Sequence, residues 1–237
     1  MPGWLDYISK VDREIALQIL ASILFSILFF ALWPTDVVWD DAGIILKYMD
    51  NFADGYFYTY NPGDGPIFGI SGFIHGIVAG LFAFTHIFSP LNSLFASNFI
   101  GLFFTSFLSL RLLSLYSDKQ ILIYSAWLVL MLCSPSFVIC IKQGLETPLH
   151  LSIILFCFFL LLHRKSKYFW SALLLAAISK LDAAPICVVL AVAFLIRNRL
   201  DLAPIPVRTI AKDLLFFGIL PGLIWVIFTY IVFDGPV

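Results

Sequence analysis

Long runs of apolar residues alternate with short polar segments along the whole chain. Eight such runs cover approximately residues 15–33, 67–88, 92–115, 121–140, 147–163, 168–180, 183–196 and 214–233. A helix needs about 20 apolar residues to cross the hydrocarbon core, and the runs lack the alternation of β-strands, so they predict membrane-spanning helices. We therefore expect an all-α, polytopic transmembrane helical bundle that forms a single domain over residues 1–237.

The composition agrees with a membrane protein. Hydrophobic residues make up 61% of the chain and charged residues 12%, which leaves too little polar surface to enclose a water-soluble globule. The basic residues form short clusters between apolar runs rather than one basic face, so nucleic acid is not an expected partner. The four cysteines lie in or beside apolar runs without metal-binding spacing, and we interpret them as buried apolar side chains.

Clusters of basic residues predict which ends of the helices face the cytoplasm. The positive-inside rule places the start of the chain, the sequence HRKSK at 163–167 and the segment 197–212 on the cytoplasmic side. By alternation, the turns at 144–148 and 179–182 lie outside, and so does the end of the chain. A start inside and an end outside require an odd number of crossings, so we expect about seven crossings from the eight runs.

The run at 67–88 is our candidate for the segment that does not cross. Its sequence GISGFIHGIVAGLFAFTHIF contains frequent glycine and two histidines, which disfavour a simple spanning helix. The alternative is that the weakly charged turn at 116–120 has been assigned to the wrong side.

The first extracytoplasmic loop, residues 34–66, has the pattern of an amphipathic helix. The apolar positions that share one helical face are Ile44, Ile45, Tyr48, Met49 and Phe52. The polar positions of the other face are Lys47, Asp50, Asn51 and Asp54. The spacing predicts an interfacial helix that lies on the membrane and ends at Gly55.

Asp40 and Asp41 are adjacent acids at the start of this predicted helix. Carboxylates there accept hydrogen bonds from free backbone N–H groups and are favoured by the helix dipole, so capping is one interpretation. The other is that one carboxylate is a general base that takes a proton from an acceptor hydroxyl at the membrane surface. A divalent cation held between Asp40 and Asp41 would be a third use of the same groups.

Two more polar clusters follow at turns that the topology places on the same outer side. They are Lys142, Gln143 and Glu146 in IKQGLETP, and Lys180 and Asp182 in SKLDAAP. Structural ion pairs, Lys142 with Glu146 and Lys180 with Asp182, are one interpretation. The other is a cationic pocket in which Lys142 or Lys180 stabilises the negative charge of a phosphate leaving group.

The order of these motifs resembles that of a known family. A first transmembrane helix is followed by DDAGIILKYMDNFADGYFYTYNPGDG, then by SPSFVICIKQGLETPL and ISKLDAAP, over nearly the whole chain. This order is similar to that of the membrane glycosyltransferases of the GT-C fold, in particular the bacterial group that includes the terminal arabinofuranosyltransferases of mycobacterial cell walls. Lys180 and Leu181 stand where that group commonly has Arg-Pro.

The resemblance implies an inverting glycosyltransferase that moves a sugar from a polyprenyl-phosphate carrier to an extracytoplasmic acceptor hydroxyl. It assigns the role of base to Asp40, contact with the acceptor or a metal to Asp41, and the donor pocket to Lys142, Glu146 and Lys180. The remaining substrate contacts that we expect are Lys47, Tyr60, Asn61, His75 and Asp182. The one cofactor expected is a divalent cation at the acid pair.

The same resemblance implies a bacterial inner-membrane protein of cell-envelope synthesis. Its partners would be the lipid bilayer, a lipid-linked sugar donor and a glycan, lipid or protein acceptor. Members of the family have a core of seven transmembrane helices and usually continue well past the length of this chain. We expect either a truncated N-terminal core or a natural minimal one.

Two other classes of function remain open on the residues alone. A lipid or solute transporter would use Lys142, Glu146, Lys180 and Asp182 as a relay at the membrane midplane. A non-catalytic membrane subunit of a cell-envelope assembly would need none of these groups for chemistry.

Overall fold

The structure is a computed structural model that describes residues 2–33, 40–67, 69–70, 72–116 and 120–233. Every regular element in these ranges is a helix. The α-helices are α1 (Pro2–Leu32), α2 (Asp40–Ala53), α3 (Phe73–Phe84), α4 (Pro90–Ser114), α5 (Gln120–Leu132), α6 (Pro135–Lys142), α7 (Thr147–Leu162), α8 (Ser166–Ser179), α9 (Ala184–Leu200), α10 (Val207–Leu214) and α11 (Leu220–Phe233). A 3₁₀ turn, Leu181–Ala183, joins α8 to α9, and a π-helical turn, Leu215–Ile219, joins α10 to α11. The predicted all-α class is confirmed.

Three helices among the described residues are long and apolar enough to cross a membrane. They are Asp12–Leu32 within α1, Pro90–Ser114, and the continuous helix Val207–Phe233. A fourth is obtained if Leu122–Leu132 and Pro135–Lys142 form one span, although a bend of 66° separates them. Three or four candidate spans support a membrane protein.

The run predicted at 121–140 is two helices rather than one. Proline has no backbone N–H and is favoured in the first turn of a helix, where that group would be unbonded. Pro135 takes this place, so α6 starts anew after the break at Cys133–Ser134. The apolar helix α3 has 12 residues and α7 has 16. At about 1.5 Å per residue, each is shorter than a hydrocarbon core of about 30 Å.

The contacts divide the chain into two compact units. Unit 1 consists of Met1–Val38 and Asn98–Ser152, and unit 2 of Trp39–Ser97 and Ile153–Val237. Phe25, Phe29, Leu102, Trp127 and Ile141 belong to the core of unit 1. The core of unit 2 is formed mainly by α7, α8 and α9, with Phe169, Trp170 and Phe194 at its centre.

In unit 2, α8 and α9 form an antiparallel hairpin. The rings of Phe169 and Phe194 stack with centroids 4.5 Å apart. Nearer the turn, the Cys187 thiol contacts the carbonyl oxygen of Leu173 at 3.7 Å. The turn predicted at 179–182 is the tip of this hairpin.

The last helix of unit 2 runs parallel to α8. Gly218 lies against Trp170, and Gly222 lies against Leu174, so equal steps along the two helices keep them in contact. The end of α11 and the α8–α9 turn therefore lie at the same end of unit 2.

In unit 1, α1 and α4 are antiparallel. Near the start of α1, Glu14 Oε1 lies 3.7 Å from Nη1 of Arg111, which is in the last turn of α4. Near its end, the ring of Phe30 lies 6.0 Å from that of Phe99, in the first half of α4. Arg111 Nη1 also contacts Gln18 Oε1 at 3.4 Å. The start of α1 and the end of α4 thus lie on one side of the unit.

The closest helix approach in unit 1 is made at a glycine of α4. Gly101 faces the backbone of Pro148 and Leu149 at the start of α7. One turn further along α4, the Thr105 hydroxyl donates a hydrogen bond of 2.9 Å to the Pro148 carbonyl. Small residues let helix backbones approach closely, which is the usual packing mode of helices in membranes.

We expect Gly101→Ala to destabilise the protein. A Cβ at this position would lie 2.8 Å from backbone carbon atoms of Pro148 and Leu149, so the helices must separate. Overpacking of this kind costs about 1–3 kcal/mol. The measurement is the thermal unfolding midpoint of the purified chain in detergent. Gly43→Ala is the matched control, because nothing lies within 4 Å of a Cβ there. An equal midpoint for both variants would contradict the packing described.

Candidate functional site

The acid pair occupies the first two positions of α2, which starts at Asp40. Negative charge is favoured there, since the first N–H groups of a helix have no partners within it. The side chains of Asp40 and Asp41 lie outside what the structure describes, so capping, base and metal contact all stay predictions. By register alone, position 40 shares one helical face with Gly43, Lys47 and Asp50, at intervals of three and four residues.

A helix with one apolar face is present where the pattern predicts it, with two residues on different faces from those predicted, while its location at the membrane surface stays a prediction. Ile45, Tyr48 and Met49 are buried. Ile44 is 37% exposed, whereas Asn51, which the pattern placed on the polar face, is only 2% exposed. Asn51 is buried because its side chain binds the following loop.

Gly55 ends α2 as predicted. Its φ of 88° is in the left-handed region that favours glycine. The Gly55 N–H donates to the carbonyl of Phe52, and the Tyr56 N–H donates to that of Asn51, which is the Schellman arrangement. The chain therefore reverses at Gly55 and returns along α2.

The loop after α2 is tied to that helix by side chains. The Asn51 amide donates hydrogen bonds of 2.6 Å to the Thr59 carbonyl and 2.7 Å to the Tyr60 carbonyl. The Tyr48 hydroxyl donates one of 2.9 Å to the Ile67 carbonyl. Three buried or half-buried bonds thus hold residues 59–67 in one conformation against α2.

Two residues of this loop were expected to contact substrate. The Tyr60 side chain is 41% exposed, so its ring is available at the surface. Asn61 lies at the exposed tip, where its amide donates a 2.9 Å hydrogen bond to the carboxylate of Asp64. Asn61 is thus engaged within its own turn, while Tyr60 is open.

Tyr58 anchors the loop to the rest of unit 2. Its side chain is fully buried, and its ring centroid lies 5.0 Å from that of Phe73 and 5.8 Å from that of Phe233. Burial raises the pKa of the Tyr58 phenol far above its ordinary value. Burial also raises the pKa of Tyr48, against the lowering effect of a backbone hydrogen bond at Gly69. Both phenols therefore stay protonated at neutral pH and cannot act as bases there.

His75 is buried in α3, with 1% of its surface exposed. Its Nδ1 lies 2.8 Å from the hydroxyl of Ser97 in α4. A histidine in this setting joins α3 to α4, and its burial keeps it from the surface at which a substrate would arrive. The observed contacts thus support a structural role.

An open groove of about 420 Å³ follows the exposed face of α2. Its lining residues are Gly43, Leu46, Lys47 and Asp50 of α2, and Ser89, Pro90 and Leu91 at the start of α4. Lys47 and Asp50 are both exposed, so the groove presents one positive and one negative side chain. Of the predicted contacts, the structure assigns Lys47 to this groove.

Lys180 stands at the break between α8 and the 3₁₀ turn, with extended backbone angles of −155° and 128°. Its Nζ lies 3.8 Å from Asp182 Oδ2, so the predicted ion pair is present. The Lys180 side chain is 26% exposed and that of Asp182 is 73% exposed. An ion pair this open to solvent is worth about 0–1 kcal/mol.

The first loop and Lys180 lie at the same end of unit 2. Phe233, the end of α11, packs on Tyr58 of the loop, and α11 runs parallel to α8, whose end carries Lys180. The side of the membrane on which this end lies stays a prediction.

Lys142 and Glu146 belong to unit 1. They do not share a helix, so the helical spacing behind the predicted pairing is absent, and the pairing itself stays a prediction. Lys142 ends α6, Gly144 reverses the chain with a φ of 79°, and the Glu146 carbonyl accepts the first hydrogen bond of α7 from His150. Glu146 is 8% exposed and Lys142 is half-buried.

Sequence reasoning missed three features of this region. Asp50 and the segment Ser89–Leu91 line the groove, and Asn51 fixes the loop. The sequence did contain a signal for the start of α4, because Ser89 before Pro90 has the pattern of a helix start. It contained no signal for the role of Asn51, since the partners of Asn51 are backbone carbonyl groups of the loop that returns along α2.

The described residues contain no group of three or more His, Cys, Asp or Glu side chains placed to hold a metal ion. The predicted cation at Asp40 and Asp41 falls outside the side chains described. Comparison of the chain with protein-family models, with curated proteins and with solved structures finds no match.

We expect Asn51→Ala to release the loop from α2. The substitution leaves the carbonyls of Thr59 and Tyr60 without the amide that binds them, at a cost of about 1–3 kcal/mol for each unsatisfied buried group. Hydrogen exchange of residues 56–67 in detergent should become faster. Asp50→Ala, one position away and exposed, should leave the exchange unchanged. Unchanged protection in Asn51→Ala would contradict the anchoring role.

Proposed function

We propose that this chain is the membrane core of an inverting glycosyltransferase that uses a polyprenyl-phosphate sugar donor. The observation that supports it most is the common location of the first loop and Lys180 at one end of unit 2. The helix that starts with the acid pair belongs to that loop and presents an open groove. An acid and a phosphate-binding cation on one side of the membrane are what the reaction requires.

The proposal includes about seven crossings, with the run at 67–88 not crossing. The antiparallel arrangement of α1 and α4 supports it. If 67–88 crossed the membrane between them, α1 and α4 would cross in the same direction. Without that crossing they cross in opposite directions. The short helix α3 lies in that interval. With the start of α1 on the cytoplasmic side, the last turn of α4 is on the cytoplasmic side too. The amphipathic helix α2 would lie at the extracytoplasmic surface.

The proposed reaction is a single displacement. The Asp40 carboxylate takes the proton of the acceptor hydroxyl as that oxygen bonds to the anomeric carbon. The bond between the anomeric carbon and the phosphate oxygen breaks, and its electrons remain on polyprenyl phosphate. Lys180 stabilises that charge, and Asp41 helps to hold the acceptor. Attack from the side opposite the phosphate inverts the anomeric configuration.

The remaining assignments complete the proposal. Lys47, at the edge of the groove, would contact the acceptor, together with the exposed ring of Tyr60. The site faces the extracytoplasmic side of a bacterial inner membrane, and the product belongs to the cell envelope.

Reporter tags test the crossings. We expect a tag inserted after Tyr116 to be cytoplasmic and one inserted after His86 to be extracytoplasmic, because α4 alone separates the two positions. Accessibility to a membrane-impermeant label in intact cells measures both. The reverse result would mean that 67–88 does cross and that the seven-crossing arrangement is wrong.

Substitution of the acids tests the chemistry. We expect Asp40→Asn to lower transfer of a labelled sugar from polyprenyl phosphate in reconstituted membranes by about 10²- to 10⁴-fold, the usual contribution of a general base. Asp54→Asn removes an exposed carboxylate just beyond the other end of α2 and should leave transfer unchanged. Lys180→Gln should weaken binding of polyprenyl phosphate itself.

The same experiment separates the other classes of function. Full transfer by Asp40→Asn and Asp41→Asn variants would refute the mechanism. Binding of polyprenyl phosphate without transfer would favour a non-catalytic subunit. Solute uptake that survives both substitutions would favour a transporter.

A further inference from the structure

Two connections of unit 2 meet at the end opposite the first loop. They are the α7–α8 turn at 163–165 and the α9–α10 segment at 201–206. Arg164 Nη1 of the first lies 3.2 Å from Asp201 Oδ2 of the second, and Arg164 also donates to the Ala203 carbonyl. Arg197 Nη2 donates a 2.9 Å hydrogen bond to the Leu162 carbonyl.

The second connection is held in a defined shape. The Asn198 amide donates to the Ile205 carbonyl at 3.1 Å, and Asn198 Oδ1 accepts from the Ile205 N–H at 2.7 Å. The Ala203 N–H contacts Asp201 Oδ1 at 3.2 Å. The backbone of residues 201–206 is thus held in one conformation.

This end of the unit carries a strong positive charge. Residues 163–167 and 197–213 contain seven Lys and Arg residues and two Asp residues, a net charge of +5. Five of the cations are exposed and form what we call the basic surface: Lys165, Lys167, Arg199, Arg208 and Lys212. Arg164 instead binds the Asp201 carboxylate and the Ala203 carbonyl, and Arg197 binds the Leu162 carbonyl, so both hold the two connections together.

Apolar side chains are exposed beside these cations. Leu200 is 79% exposed, Val207 is 80% exposed and Leu202 is completely exposed. In water, each would leave apolar area exposed at a cost of about 25 cal/mol per Å², which contact with lipid chains removes. Leu202 lies between Asp201 and Ala203, which are joined by a hydrogen bond, so the backbone that carries it is held in place.

The helix α10 presents its cations outward and leads directly into a membrane span. Ile210 of α10 is buried in the core of unit 2, whereas Arg208 and Lys212 are exposed. The apolar sequence of the span resumes at Leu214, two residues after Lys212. At about 1.5 Å per residue, Lys212 lies within a few ångströms of the hydrocarbon boundary, which is the depth of lipid phosphates.

We propose that the basic surface binds the phosphate groups of anionic phospholipids, with Leu202 and Val207 inserted among the lipid chains. Charge complementarity selects an anionic lipid, and the adjacent apolar side chains select a lipid rather than a soluble phosphate. The bound lipid fixes the depth of α10 and of the α9–α10 connection in the membrane. The surface is at the end of unit 2 away from Lys180, so it is separate from the proposed transfer site.

The test is a lipid titration of the full chain in a neutral detergent, followed by the thermal unfolding midpoint. Phosphatidylglycerol should raise the midpoint at lower concentration than phosphatidylcholine does, because a ligand that binds the folded state stabilises it. A basic residue near the membrane contributes about 1 kcal/mol to anionic lipid binding, which corresponds to about fivefold in affinity. The variant R199Q/R208Q/K212Q should therefore lose about a hundredfold in apparent affinity for phosphatidylglycerol. Raising the salt concentration should weaken the wild-type response.

The matched control is Arg13→Gln compared with Lys212→Gln. Arg13 is an exposed cation of α1 that is flanked by Asp12 and Glu14, so its charge is offset locally and its loss should leave the phosphatidylglycerol response unchanged, whereas Lys212→Gln should lower the affinity about fivefold. Leu202→Ser should weaken binding without changing the charge. Equal responses to phosphatidylglycerol and phosphatidylcholine, or a wild-type response in the triple variant, would overturn the proposal. So would an equal effect of inorganic phosphate, which would indicate a site for the free anion.

Discussion

Every helix in this apolar chain has to end where its last backbone carbonyls find hydrogen-bond donors, and the rest of the structure depends on how that is achieved. Lipid offers no partners for backbone groups, so an unbonded end costs several kcal/mol. Gly55, Gly144 and Arg164 meet the requirement with left-handed backbone and the paired bonds of a Schellman turn. These reversals fix where the polar segments emerge. The first loop, the turn before Glu146 and the basic end of unit 2 each follow one of them.

Arg164 shows how such a turn is combined with a second task. A left-handed conformation costs an ordinary residue about 1–2 kcal/mol, which glycine avoids. Arg164 accepts the conformation while its guanidinium binds Asp201 and the Ala203 carbonyl. One residue therefore closes α7 and holds the neighbouring connection, which glycine could not do. The α7–α8 turn and the α9–α10 connection, which lie beside the basic surface, are therefore held together by Arg164.

The sequence pattern predicted the positions of the helices because burial in lipid requires long apolar runs, and that requirement is local. It predicted α2 and its end at Gly55 from two other local signals, the helical spacing of apolar residues and the glycine that follows them. It did not predict the break before Pro135, because the residues on both sides are equally apolar. It also misplaced Ile44 and Asn51, since the burial of Asn51 is decided by the Thr59 and Tyr60 carbonyls after the chain reverses. Contacts of this kind depend on tertiary structure.

The sequence supplied candidate residues for a site but not their local geometry. Polar residues inside the spans do not by themselves indicate a functional site, because hydroxyls such as those of Ser22 and Ser26 donate hydrogen bonds to carbonyls of their own helix. His75 likewise has a partner in Ser97. Lys180 differs, since its pair with Asp182 is open to solvent and weak. In the proposed mechanism, a phosphate with more negative charge than a carboxylate takes the place of Asp182 at the ammonium group. That exchange is opposed less by an exposed pair than by a buried one, because removing one partner of a buried pair leaves an uncompensated charge.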